Sequence, residues 1–407
     1  MDTRQSIKKL HEHKQNIIIM AIKNNQPYCG PAGLSIKSLL GRIASKNVFT
    51  WFAGSRIYYT HKARVAIRQA CNLSGLDNGG AILVPSYNCG SEIDPILKSG
   101  CKPLLYRINK NALVDISDLE AKITSRTKAV YVTDFFGFSP DIEDIRKLCD
   151  LKKLVLIEDC ALSLFSSHDS RKLGTFGDIA IFSFPKTLPV PDGGALVINN
   201  QALASTPWNL RRPHWAPVLK KLMPLSKASV LRSLARSTGK STIIKIFAGR
   251  SAAKRAEMDD YTIQKMPENY FYDENISNTA ISNLTRHMLS NFSPQDIIQL
   301  RRKNYLTYLA ALKNTDRIEP LHRELPPGVC PLAFPVIVPE RNRTYAKLTA
   351  ELIAVAPWWA GYHPDLPWDK YPDARFLKDN ILALPVHQQL NTEDILFIAD
   401  RLLKNVT

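Results

Sequence analysis

Between residues 62 and 199 the chain alternates short, wholly apolar runs with helical patterns, and this restricts the fold more than any other feature. Residues 62–73 set Ala63, Ala66, Ile67, Ala70 and Cys71 on one face at helical spacing. Asp77-Asn78-Gly79-Gly80 reads as a turn, and Ala81-Ile82-Leu83-Val84 as a strand ending at Pro85. Helical patterns at 91–99, 117–123 and 141–150 then alternate with strands at 103–106, 129–133 and 154–157. Further apolar strands follow at 179–184 and 195–198. Strands separated by helices are joined in parallel by crossovers and buried on both faces, which is why they read as unbroken apolar runs. The expected architecture is α/β: a large domain with a mostly parallel sheet in three αβα layers. Ligands of such sheets gather beyond the carboxyl ends of the strands.

After residue 199 the alternation stops. A long helical pattern runs from about 276 to 313, followed by strands at 332–338 and 381–384 and helices at 345–354 and from 392 onward. These form a smaller C-terminal α+β domain. The expected organisation is an N-terminal segment 1–50, basic and partly helical with breaks at Pro27 and Gly30-Pro31; a large domain 51–275; and a connecting helix with the small domain at 276–407.

The net charge of +17 is local in origin. No acidic residue stands between Asp192 and Glu257, an interval holding twelve lysines and arginines. Its apolar residues group into short amphipathic helices, interrupted at Pro217, Pro224 and Gly239. Such a basic insertion, 207–256, suits a peripheral membrane contact, an acidic partner or a cover over an anionic substrate. No zinc finger, basic zipper or RNA-recognition motif accompanies it, so no nucleic-acid partner is expected. The seven cysteines include no C-x-x-C pair, which argues against a disulfide framework or thiolate zinc site, and no metal is expected. No apolar run is long enough to span a bilayer, and the first residues do not read as a secretory signal. The expected location is cytoplasmic, with peripheral contact at the inner face of the membrane.

Three features in a fixed order carry the chemistry. Val155-Leu156-Ile157 runs into Glu158-Asp159; Gly174-Thr175-Phe176-Gly177-Asp178 leads into Ile179 to Phe184; Lys186 follows, with Asp192-Gly193-Gly194 behind it. A buried carboxylate at a strand end needs a cationic partner. A lysine at a neighbouring strand end, facing that carboxylate in a pocket of low polarity, suits Schiff-base chemistry. The carboxylate would keep a pyridine nitrogen protonated and the ring electron-poor. Lys186 alone reads as a surface lysine and Asp159 alone as a cap or ion pair; their order and the glycine turn point to chemistry.

These segments resemble the DegT/StrS family of pyridoxal-phosphate (PLP) sugar aminotransferases, of the aspartate-aminotransferase-like fold type I. The resemblance runs through Val84-Pro85-Ser86-Tyr87, Ser99 to Pro103, Arg126 to Val130, Ile157 to Ala161, Gly174 to Asp178, Phe182-Ser183-Phe184, and Lys186 with Asp192-Gly193-Gly194. Arg301-Arg302 with Asn304-Tyr305, and Leu384-Pro385-Val386-His387, fit the later helix and C-terminal motif. The resemblance implies that Lys186 carries the cofactor and shuttles the proton, that Asp159 pairs with the pyridinium nitrogen, and that Ser183 binds the phosphate. Lys62-Ala63-Arg64 stands where the family has its phosphate-binding Ser-Gly-Thr, so Ala63 and Arg64 fall at the phosphate. Cys89 stands at the ring-stacking aromatic position with Asn88 before it, Leu162 where a glutamine or histidine contacts the ring hydroxyl, and Asp134 where a histidine precedes a glycine turn. The branch of the family that dehydrates sugars lacks the lysine, so Lys186 favours transamination.

The implied function is transfer of an amino group from an amino acid, with glutamate the expected donor, to a keto-sugar on a nucleotide carrier. A surface-glycan pathway and a homodimer are expected with it. Two other readings remain: a PLP-fold scaffold without turnover, supported by Arg64, Cys89 and Leu162, and a basic docking protein working through 207–256.

Overall fold

The computed structural model describes residues 29–34, 36–41, 43–76, 79–203, 208–238 and 271–406. The N-terminal pattern before residue 29, the turn residues Asp77 and Asn78, and the insertion beyond 238 lie outside the described residues.

Seven strands form the main sheet: β1 (Arg56–Thr60), β2 (Ala81–Pro85), β3 (Lys102–Tyr106), β4 (Thr127–Thr133), β5 (Val155–Asp159), β8 (Ile179–Ser183) and β9 (Gly194–Ile198). Between β5 and β8 lies a two-strand hairpin, β6 (Ser167–His168) and β7 (Arg171–Lys172). The order is β1-β9-β8-β5-β4-β2-β3. The block β3-β2-β4-β5-β8 is parallel throughout, whereas β9 and β1 add antiparallel at one edge. Residues of β2, β8 and β9 are buried along their whole length. Each buried Leu, Ile or Val contributes on the order of 2 kcal/mol, so this sheet is the rigid base of the molecule. β1 was not expected from the sequence: Arg56-Ile57-Tyr58-Tyr59-Thr60 mixes polar and aromatic residues, as an edge strand does.

A second, four-stranded antiparallel sheet has the order β10-β11-β13-β12, from Glu319–Pro320, Ala333–Ile337, Ile381–Pro385 and Ala356–Pro357. The helices Arg341–Ala350, Pro372–Asn380 and Thr392–Asn405 accompany it.

Two expectations about helices are corrected. The long pattern over 276–313 is two helices, Asn283–Ser290 and Pro294–Ala311. Ser282 and Ser293 each accept a backbone N–H as N-caps, and Pro294 occupies the first turn of the second helix, so the chain restarts there. Among the described residues 208–238, the basic stretch carries one helix, Trp215–Thr238, where several short ones were expected. Pro217 falls in its first turn, where a missing N–H costs nothing, and the exposed Pro224 leaves its unpaired carbonyl partner to solvent.

Candidate active site

The carboxyl ends of β5 and β8, the turn before β9 and the start of the Ala63–Leu73 helix enclose a cavity of about 760 Å³. The loop Ala356–Gly361 closes it from the side of the small sheet. Asp159, Ser183, Lys186, Ala63, Arg64 and Cys89 all line it. Asn88 does not: its side-chain amide donates to the Pro85 carbonyl at 2.7 Å, behind the wall.

Asp159 ends β5 and is almost wholly buried. Its oxygens accept from the Tyr131 hydroxyl at 2.7 Å and the Ala161 N–H at 2.9 Å. Burial pushes its pKa up, while the Lys186 charge and these two donors push it back. Lys186 lies in the short Phe184–Thr187 turn directly after β8, its Nζ 5.8 Å from the centre of the Trp359 ring. That turn is pinned from beneath. The fully buried Arg301 donates to Thr187 O at 2.7 Å and to the carbonyls of Pro331 and Leu332. Asn304, one turn on, donates to the carbonyls of Val386, His387 and Leu390. The two late sequence motifs therefore meet, and together they fix the lysine segment to the small sheet.

The opposite end of the cavity is cationic. Lys62 is the N-cap of the Ala63–Leu73 helix and makes no side-chain capping bond, which leaves first-turn N–H groups facing the cavity. Burial lowers the Lys62 pKa, as do the Arg64 and Lys221 charges. Arg64 is partly committed, donating to Phe271 O and, at 2.9 Å, to Ser91 Oγ. Gly194 is required here: a Cβ would sit 2.5 Å from the Ala63 nitrogen, so only glycine lets β9 pass beneath the helix start.

Sequence reasoning missed four contributors. Glu92, in the first turn of the Gly90–Leu97 helix, is buried against the cavity; Oε1 accepts from the Cys89 thiol at 3.6 Å and Oε2 has no partner. Burial and the Asp159 charge raise its pKa to about 8 against the pull of Lys186, so it holds its proton at neutral pH. Lys221 comes from the basic helix. Trp358 and Trp359 come from the small sheet's loop, and a tryptophan pair beside prolines and a glycine was the one signal available for them. Trp359 sits at φ 51°, an uncommon conformation for a bulky residue, and its carbonyl accepts from Lys378 Nζ at 3.1 Å. The wholly buried Lys378 also donates to Gly361 O at 2.9 Å and Asn88 O at 2.6 Å, so one ammonium ties both walls together. Burial lowers its pKa to about 8.

Behind the cavity, Asp134, Glu158 and Cys160 form a buried cluster with ligand atoms within 4.8 Å of one another. Glu158 is already saturated by the N–H groups of Gly174, Phe176 and Gly177, which makes it the clamp of the glycine turn. Asp134 accepts from the Ser163 hydroxyl at 2.7 Å, and burial, reinforced by the Glu158 charge, raises its pKa well above the usual range.

A lysine, a buried carboxylate and a helix amino terminus thus line one cavity beyond the strand ends. The solved structures agree on the fold. The chain matches the Helicobacter pylori aminotransferase PseC, involved in the biosynthesis of pseudoaminic acid, at TM-score 0.62 and 20% identity, covering 94% of this chain and 99% of that one. It matches a candidate sugar aminotransferase from Streptococcus pneumoniae in its PLP form at TM-score 0.63 and 18% identity, covering 94% and 100%. Residues 59–217 match the DegT/DnrJ/EryC1/StrS aminotransferase family model. Among curated relatives it is similar to the GDP-perosamine synthase of Vibrio cholerae, 34% identical over 142 residues. That alignment spans 34% of this chain and 39% of the relative's length.

Proposed function

We propose that this chain is a PLP-dependent sugar aminotransferase that moves an amino group, with glutamate the expected donor, onto a nucleotide-linked keto-sugar for a surface glycan. The observation that carries this reading is Lys186 and Asp159 lining one cavity, with the cationic start of the Ala63–Leu73 helix also in its wall. Support for a sugar substrate comes from the relatives, among them a GDP-perosamine synthase. A homodimer and a cytoplasmic location belong to the same proposal.

The residues present fit the cofactor by chemistry. A buried carboxylate with two fixed donors can sustain an anion opposite a pyridinium nitrogen. Open N–H groups, Lys62, Arg64 and Ser183 suit a phosphate. When bound, PLP supplies a carbonyl for the lysine and a ring that accepts electrons.

The chain's residues divide the remaining work. Lys186 Nζ is the group that takes and returns the substrate proton, and the Arg301 anchor holds its backbone in place while it does so. Tyr131 and Ala161 each donate to an Asp159 oxygen, which with the Lys186 charge favours the anion against the burial that raises its pKa. Trp358 and Trp359 narrow the opening and exclude water from the proton path. Cys89, at the position of a stacking aromatic, offers a thiol instead of a ring, and Trp359 is the aromatic surface nearest the lysine.

The test is spectroscopic. Adding PLP to the purified chain should give a visible absorbance band that glutamate bleaches, and Lys186→Ala should never develop it. A protein that takes up no chromophore leaves the scaffold reading in its place.

A further inference from the structure

We propose that the outward arc of the Trp215–Thr238 helix docks on an anionic lipid surface. Four large apolar side chains on this helix are exposed: Trp215 at 66%, Leu219 at 48%, Met223 at 64% and Val230 at 57%. At 3.6 residues per turn their directions fall within an arc of about 80°. The other side of the helix is already used. Val218, Ala228 and Arg232 are buried, Leu225 O accepts from Leu34 N at 3.1 Å, and Arg232 donates to Gly30 O at 2.9 Å. The apolar arc therefore faces away from the molecule, and packing the inner face does not account for it.

Charge decides what covers it. Between Asp192 and Glu257 there is no acidic residue, and Arg211, Arg212, Lys220, Lys221 and Lys227 are exposed on or just before the helix. A second copy meeting this face about a two-fold axis would set like charges against like. An anionic bilayer satisfies both components. The apolar arc enters the boundary between headgroups and acyl chains, an indole at its end suits that depth, and lysine stems on the flank reach back to the phosphates. No helix among the described residues is long and apolar enough to cross a membrane, so the contact is peripheral.

The same helix contributes Pro217 and Lys221 to the cavity wall. Docking therefore holds the mouth of the candidate active site about one helix diameter, roughly 10 Å, from the lipid surface. The proposal does not depend on which reaction the cavity performs.

Vesicle co-sedimentation of the full chain tests it. The chain should sediment with vesicles of phosphatidylcholine and phosphatidylglycerol, not with phosphatidylcholine alone, and salt should weaken the association. The exposed double variants L219S/M223S and R212E/K220E should each lower partitioning by about tenfold or more. A wild-type chain that stays in the supernatant with anionic vesicles overturns the proposal. So does binding that L219S/M223S leaves unchanged. Light scattering of the lipid-free chain supplies the remaining outcome: a dimer that L219S/M223S splits assigns the arc to a second copy and also overturns it.

Discussion

Two walls of the same cavity bear buried carboxylic acids, and they are supplied with hydrogen-bond donors very unequally. Asp159, on the strand-end wall, has both oxygens occupied by donors and feels the charge of Lys186. Glu92, on the wall formed by the Gly90–Leu97 helix, has a weakly donating thiol on one oxygen and nothing on the other. Burial raises the pKa of both, and hydrogen-bond supply separates them: preorganised donors favour the anion at Asp159, and Glu92 lacks them. Two carboxyls with unequal donor supply in one cavity, beside a lysine, give the site one acid biased toward its anion and one that holds its proton.

The largest test of that contrast is Asp159→Asn. It keeps the shape and deletes the anion, so in the proposed reaction the turnover rate should fall about a hundredfold to a thousandfold, the scale of losing one preorganised electrostatic group. PLP uptake, followed by absorbance, should persist because the phosphate end is untouched. A variant with wild-type turnover would mean that the strand-end wall does not supply the anion.

Next in size is Lys378→Met, aimed at the tie between the walls. Removing the ammonium strands three carbonyls, those of Asn88, Trp359 and Gly361, and should cost about 3 kcal/mol of stability in a denaturant titration. The turn that holds Trp359 at positive φ loses its restraint as well, so PLP affinity should weaken alongside. Undiminished stability would show that the carbonyls find other donors.

A smaller effect is expected at Tyr131→Phe. One donor to Asp159 disappears, a loss of about 1.4 kcal/mol or a tenfold change. Its direction is fixed: the carboxylate loses stabilisation, its pKa rises, and the acid limb of the pH–rate profile moves to higher pH. An unmoved acid limb would separate Asp159 from that limb altogether.

How legible these walls were in the sequence follows from the same physics. Asp159 and Lys186 stand at the ends of unbroken apolar runs, where a charge is conspicuous, and both line the cavity. The parallel core was readable for the same reason, since doubly buried strands are nearly continuous apolar runs. Glu92 was invisible because Ser91-Glu92 reads as an ordinary solvated first turn; only the folded chain buries it and sets it among Asp159 and Lys186, more than sixty residues away in sequence. Lys378 lies between Leu377 and Asp379 and reads as a surface lysine, while its three acceptors are backbone carbonyls that no sequence displays. The described part of the basic tract was legible as charge but not as the single helix Trp215–Thr238, because Pro224 signals a break that an exposed helix face tolerates. What composition and periodicity could not supply was therefore tertiary: which side chain the folded chain would bury.

The finest test is Glu92→Gln, read as stability against pH without added cofactor. The unfolded chain releases the Glu92 proton near 4.5, whereas the folded chain holds it up to about 8. Below the lower value both states are protonated and the group is neutral to the balance. As pH rises between the two, the folded state binds more protons than the unfolded one, so Glu92 makes stability fall until the folded pKa is passed. Glutamine preserves the volume and cannot titrate. Denaturation midpoints of variant and wild type should therefore run closest at acid pH and separate as pH rises, with the variant gaining. Asp134 titrates in both proteins, and Asp159 faces a neutral group at position 92 in both until Glu92 ionises near 8, so below that pH the difference between the two curves follows Glu92. Parallel curves across the range would mean that the carboxyl ionises in the folded protein as it does in water, and the two walls would then be alike in charge after all.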